Sequence, residues 1–390
     1  MKASAGTAVF LLAIGQTLTY AGVYYAFPAL LPDLQAATGW TVAQLAWGPT
    51  LGFLVMAALT PFTGRLVDRG LGGEMLTYAP VLAALGVAAL GLARTPLEWL
   101  LIWGVIGVAQ ACCLYESCFA FLTRRLGEDA RGAITKVTLV AGFAGTLAFP
   151  LGNALGAALG GQAALIAFAG LILLAAPFNA IAVRQLRRLQ RAGVAQPPEA
   201  PGALRAALRR PGFWAIAAMF AMVYLNHGIL LTYVLLLFED RGASVALATI
   251  AAASIGPSQV FGRLVLLINQ ARIGNGRALL WSLTGVCLAG LALIAAGVAP
   301  VLIFLFAALQ GAGAGLTSIL RPLLIADILG RRGFGAISGA VAVAPIFASA
   351  GAPSIGAGLL HWGGPGMIYG FCLALALASL GIAGLLLRRR

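Results

Sequence analysis

QAALIAFAGLILLAAPFNAIAV, residues 162–183, runs for 22 residues without a charge, and RQLRRLQR, residues 184–191, follows it at once with four arginines. A hydrocarbon core of about 30 Å takes roughly 20 apolar residues as a helix, so the first stretch has the length of a membrane crossing. The arginines then belong to the water beyond it, on the side where Lys and Arg accumulate, the cytoplasm. Gln196-Pro197-Pro198 and Pro201-Gly202 come next and do not continue a helix.

The same pattern repeats along the chain. Of its 390 residues, 61% are apolar and 9% charged, whereas soluble domains carry about 25% charged residues. That excludes an ordinary water-soluble enzyme. Apolar stretches give twelve expected spans: Gly6 to Leu31, Thr41 to Phe62, Glu74 to Ala93, Leu97 to Thr123, Arg131 to Ala157, Gln162 to Val183, Gly212 to Phe238, Ala243 to Ile268, Asn275 to Val298, Pro300 to Leu329, Gly333 to Leu359 and Gly364 to Leu387. With a cytoplasmic amino terminus, the inner loops receive nearly every arginine, from Arg65 and Arg69 to Arg388, Arg389 and Arg390, and the outer loops only Arg94 and Arg241. One missed or invented span would scramble that alternation. The net charge of +14 therefore describes a basic face against anionic lipid headgroups rather than a nucleic-acid surface.

The expected fold is an all-α membrane protein of two pseudo-symmetric six-helix bundles, 1–183 and 212–390, joined by a cytoplasmic linker, 184–211, with both termini cytoplasmic. Two echoes support the repeat: Gly64-Arg65-Leu66-Val67 with Gly262-Arg263-Leu264-Val265, and Arg131-Gly132-Ala133-Ile134-Thr135 with Phe334-Gly335-Ala336-Ile337-Ser338. Two like halves with their termini on one side imply an axis along the membrane normal and a site between the halves.

On these residues the chain resembles the major facilitator superfamily of transporters over essentially its whole length. Gly64-Arg65-Leu66-Val67-Asp68-Arg69 answers the family's G-x-x-x-D-R-x-G loop, and the tail Leu71-Gly72-Gly73 departs from it by lacking basic residues. The resemblance implies alternating access, with Gly64, Asp68 and Arg69 in the cytoplasmic gate. Physically, an acid after the second helix can accept hydrogen bonds from amides that open a neighbouring helix and can pair with Arg. The bland alternative is a solvated turn.

Charges inside spans are functional by default. Arg321 lies ten residues before Arg331, about 15 Å deep at 1.5 Å per residue. It continues a polar stripe with Gln310 and Thr317. Glu116, eight residues before Arg124, is about 12 Å deep. In the family resembled, helices 1, 4, 7 and 10 line the cavity, which implies that Glu116 and Arg321 face each other; each could instead bond within its own half. Helix 1 adds Gln16, Tyr20 and Tyr24 at four-residue spacing, with Tyr25 to one side, and helix 7 adds Tyr224, Asn226 and His227. These are the candidate cargo contacts, with Glu116 or His227 able to titrate. Asp327 is expected to pair with Arg331 and Arg332.

No phosphate-binding G-x-x-x-x-G-K motif, catalytic triad or metal cluster occurs, and Cys112, Cys113, Cys118, Cys287 and Cys372 read as packing residues. No cofactor or metal is expected. The expected function is secondary transport of a small, monocarboxylate-like anion, coupled to protons, by a monomer in a bacterial inner membrane. Helices 5 and 11 resemble those of monocarboxylate and oxalate carriers, through Arg131-Gly132-Ala133, Ala141-Gly142-Phe143-Ala144-Gly145 and Pro150. The helix 1 Lys and helix 8 Asp–Arg pair of the animal carriers are absent. The alternative is a proton-driven efflux antiporter for amphipathic drugs or metabolites, with Glu116 as proton site and Arg321 structural.

Overall fold

A computed structural model describes residues 2–191, 202–269 and 272–388. Gln196-Pro197-Pro198 and Pro201 of the expected linker, and Arg389 and Arg390, lie outside the described residues. Among those described every regular element is a helix. In chain order these are α1 (Lys2–Tyr20), a π-helical turn (Ala21–Tyr25), α2 (Ala26–Thr38), α3 (Val42–Asp68), α4 (Gly72–Leu90), α5 (Pro96–Cys113) and α6 (Tyr115–Leu126). Next come a 3₁₀ turn (Gly127–Asp129), α7 (Ala130–Ala141), α8 (Ala144–Leu159), α9 (Gly161–Leu173), α10 (Ala175–Arg191) and the short α11 (Ala203–Leu208). The chain ends with α12 (Pro211–Thr232), α13 (Val234–Asp240), α14 (Val245–Ile268), α15 (Asn275–Ala295), α16 (Leu302–Leu329) and α17 (Phe334–Arg388).

Ten stretches are long and apolar enough to cross a membrane, and two of them, of 64 residues (Pro96–Leu159) and 55 residues (Phe334–Arg388), are too long for one crossing. The first turns back at Gly127, whose φ is +57°, where Arg124, Arg125 and Arg131 gather. The second is broken at Gly363 and Gly364, the latter at φ +64°, a conformation only glycine adopts without strain. Room for twelve crossings results. Several expected spans are interrupted rather than continuous: at Leu114 between α5 and α6, at Gly142-Phe143 between α7 and α8, and at Tyr233 between α12 and α13.

The chain divides into two compact units, Met1–Leu204 with Arg331–Ala340, and Arg205–Gly330 with Val341–Arg390. In the first, α5 lies so close to α3 that a Cβ on Gly107 would stand 2.5 Å from the Gly52 carbonyl oxygen and 2.9 Å from Val55 Cβ. Lipid tails are as apolar as leucine, so close backbone contact, not hydrophobic exclusion, drives such pairs together. Trp99 Nε1 donates to the Leu45 carbonyl (3.0 Å) and Asn179 Nδ2 to that of Leu76 (2.7 Å), fixing α5 on α3 and α10 on α4. The second unit repeats the principle. A Cβ on Gly311 would meet the Ile255 carbonyl at 2.5 Å, and Ser282 Oγ donates to the Gly313 carbonyl at 2.7 Å. Buried Arg263, in the echo of Gly64-Arg65, donates from Nε to the Gly315 carbonyl at 3.0 Å. Asp327 departs from expectation: its carboxylate accepts from Asn275 Nδ2 (2.8 Å), whereas Arg331 lies 3.6 Å from Glu128.

Gly107→Val should force α3 and α5 apart and cost about 1–3 kcal/mol, read as a lower thermal midpoint of the detergent-purified protein. Gly170→Val, at a helical position where an added Cβ would meet no neighbouring side chain or facing backbone within 4 Å, should leave the midpoint nearly unchanged.

Candidate functional site

Two polar clusters and one capped helix end carry the candidate residues. The first cluster forms where the helix breaks at Leu114, whose ψ of −172° takes it out of the helical region. A break inside a span frees backbone groups that hydrocarbon cannot hydrate. Here the carbonyls of Ala111 and Cys113 and the amide of Tyr115 lose their helical partners. Ser117 Oγ donates to the first (2.7 Å), Gln16 Nε2 to the second (2.8 Å), and the Tyr20 hydroxyl accepts from the third (3.3 Å). Gln16 and Tyr20, two candidate cargo contacts, thus hold the break together. Glu116 consequently falls in the first turn of α6, where the helix dipole favours an anion by about 0.3–1 kcal/mol, and it stands within electrostatic reach of Tyr20.

The tyrosines do not form the simple stripe that four-residue spacing implies. The π-helical turn rotates Tyr24 and Tyr25 within α1–α2, so Tyr25 joins the cluster instead of falling aside. Ring centroids are 4.4 Å apart for Tyr20–Tyr115, 5.9 Å for Tyr20–Tyr24 and 4.9 Å for Tyr24–Tyr25, and Phe53 and Phe149 continue the wall. Tyr24 is exposed. Sequence spacing gives no sign of Tyr115, because its side-chain position depends on the break.

The second cluster lies in the other unit, on α12 and α16. Arg321, 4% exposed, sits eight residues before the end of α16. Its guanidinium carbon is 5.4 Å from the centre of the Tyr224 ring, within cation–π range. Buried Gln310 donates from Nε2 to Asn226 Oδ1 (3.0 Å) and lies 3.4 Å from His227 Nδ1, while Asn226 Nδ2 donates to the Cys372 carbonyl (2.8 Å). Thr317 is buried and bonds its own helix at the Ala314 carbonyl (2.7 Å).

The third feature is the end of α3. Asp68 is its last residue, and both carboxylate oxygens accept from the opening turn of α17: Oδ1 from the Gly335 amide and Oδ2 from the Ala336 amide, each at 2.9 Å. These amides have no intrahelical acceptor, and the carboxylate meets the positive end of the dipole. Glycine permits the approach. A Cβ on Gly64 would fall on the Gly335 carbonyl, one on Gly335 on the Gly64 carbonyl, and one on Gly339 on that of Thr60. Arg69 is exposed beyond the helix end, followed by Gly70 at φ +97°.

Comparison with known proteins places this arrangement. No curated protein matches the sequence. The solved structure of the transporter FucP, a member of the major facilitator superfamily in an outward conformation, superposes with a TM-score of 0.69 at 15% identity, over 97% of this chain and 98% of that one. A substituted form of the Escherichia coli fucose:proton symporter FucP gives the same TM-score and coverage at 16% identity. The likeness establishes the fold. The sequence model of the Major Facilitator Superfamily matches residues 12–299, which is well over half of the chain, and this multi-pass membrane protein therefore belongs to that superfamily of transporters.

Proposed function

We propose that this transporter carries a small organic anion, monocarboxylate-like in its charged group, together with protons, by alternating access and as a monomer, with both termini cytoplasmic. The observation that carries the reading is the buried Arg321 guanidinium against Tyr224. Arginine does not deprotonate in proteins, and a charge at that depth costs at least about 3 kcal/mol on insertion scales. A permanent cation maintained there at that cost suits an anionic cargo. Tyr224, Asn226, His227, Gln310 and Thr317 are the further proposed cargo contacts in that unit, and Gln16, Tyr20 and Tyr24 those in the other, where Tyr20 lies within electrostatic reach of the proposed proton carrier, Glu116. The proton coupling named for the fucose symporter supports the same for this chain by analogy of fold.

Gly64, Asp68 and Arg69 are the proposed gate. Asp68 holds the first turn of α17 through two charge-assisted hydrogen bonds, strong enough to define a closed state and few enough to be exchanged for water. The tyrosine wall beside Glu116 favours a second reading, proton-driven efflux of amphipathic molecules, in which Arg321 is structural.

Three outcomes follow from the first reading. Small carboxylates at 100 times their Kd should stabilise the wild type by about 2.7 kcal/mol, seen as a thermal shift that amines do not produce and that Arg321→Ala abolishes; stabilisation by amphipathic amines, kept in that variant, would favour efflux. Glu116→Gln in proteoliposomes should lose uphill uptake driven by a pH gradient yet keep counterflow exchange. Asp68→Asn should slow transport without weakening cargo binding, and hydrogen exchange at the Gly335 and Ala336 amides should rise about fivefold to tenfold, the equivalent of a lost cap of about 1 kcal/mol; unchanged turnover and exchange would remove Asp68 from the gate.

A further inference from the structure

We infer that His227 is locked in a single tautomer, with its proton on Nε2, and that this N–H is a fixed donor for an uncharged oxygen of the cargo. The lock starts from a group whose role is unambiguous. A backbone carbonyl only accepts, so the nitrogen of the Asn226 amide must face Cys372, 2.8 Å away. Asn226 Oδ1 is thereby turned the other way, and it meets Gln310 Nε2 at 3.0 Å. Gln310 must then present its nitrogen, since its oxygen in that place would oppose another oxygen. The second hydrogen of the same nitrogen is left for His227 Nδ1, 3.4 Å away. A ring nitrogen that receives an N–H presents its lone pair, which leaves the ring proton on Nε2.

Burial makes the relay rigid. Asn226 and Gln310 are 2% and 1% exposed, so water does not compete for their hydrogens. His227 is different, because part of its surface stays open. It follows Tyr224 by three residues and so shares its helix face, and Tyr224 is the ring on which Arg321 rests. Tyr224 and His227 are about 4.5 Å apart along α12 at 1.5 Å per residue, so the ring that carries the permanent cation and the neutral donor occupy neighbouring positions on one helix face.

This rests on the anion reading above and narrows it. The cargo that fits is a carboxylate with a keto or hydroxyl oxygen a short chain away from its charged end. A second carboxylate fits less well, because a neutral imidazole offers it no charge. The relay also separates duties: a proton added at Nδ1 would set two donors face to face with Gln310, which leaves the proton traffic to Glu116.

The chain has two histidines, so nitrogen-15 spectra of histidine-labelled His361→Gln protein report His227 alone. We expect a bare Nδ1 and a protonated Nε2, and a mixture of tautomers in Gln310→Ala. In calorimetric titrations of the whole protein, 4-oxopentanoate should bind about tenfold more tightly than pentanoate, a typical discrimination by one hydrogen bond. His227→Ala should erase that preference, and His227→Gln, whose amide can stand in for Nε2–H, should keep most of it. A proton on Nδ1, or equal affinities of the two acids for the wild type, overturns the inference while leaving the anion reading in place. Failure of both acids to bind the wild type overturns the anion reading itself, with the spectra still judging the lock.

Discussion

Every backbone amide and carbonyl inside hydrocarbon must find a partner within the protein, and this structure is organised around the few places where the helical ladder does not provide one. An unbroken helix satisfies itself and has no chemistry to offer. At Leu114 the ladder is broken, and three side chains from two elements repair it: Gln16, Tyr20 and Ser117. The break would be costly without them. With them, it turns Glu116 from a mid-helix residue into one at a helix start, where its charge is supported by amides that no longer have a helical acceptor.

The same constraint explains Asp68. The first turn of α17 has amides that must be capped, and a carboxylate at the end of α3 caps two of them. Such a contact is stable only at close range, hence the glycines at 64, 335 and 339, each at a point where a methyl group would strike a facing carbonyl. The gate proposed for this contact would open poorly if it rested on interdigitated side chains, whose separation would empty a packed interface. Smooth backbone surfaces fastened by a pair of charge-assisted hydrogen bonds separate with less disruption.

Much of this was legible in the sequence because lipid imposes a coarse rule: spans of about 20 apolar residues with arginines collected at alternate ends. The apolar run at 162–183 and the arginines after it already carried the fold. That an acid at 68 reaches helix-opening amides was also readable; that they belong to Gly335 and Ala336, 267 and 268 residues further on, was not. Local spacing misled where the helix is irregular. Four-residue periodicity put Tyr25 aside and left Tyr115 unnoticed, since neither the π-helical turn at 21–25 nor the break at Leu114 leaves a proline to mark it. Asp327 went astray for a simpler reason, as nearest cations in sequence are poor predictors of partners when Asn275 stands on a neighbouring helix.

The polar residues of the two clusters are therefore of two kinds. Gln16 and Asn226 are both buried amides that donate to a carbonyl of a distant segment, Cys113 in one case and Cys372 in the other. The loss of Gln16 would be felt in folding before it was felt in transport, because it would leave the Cys113 carbonyl unsatisfied in a medium where that costs several kcal/mol, whereas the Cys372 carbonyl, inside α17, keeps its helical partner. Glu116, Arg321 and His227 are different: the groups around them determine what state they are in. A helix start supports the acid, a tyrosine face supports the guanidinium, and an amide relay sets the imidazole. Selectivity in such a site depends as much on the buried amides behind the exposed groups as on the groups themselves, since a donor that could rotate or change tautomer would accept nearly any oxygen or nitrogen presented to it.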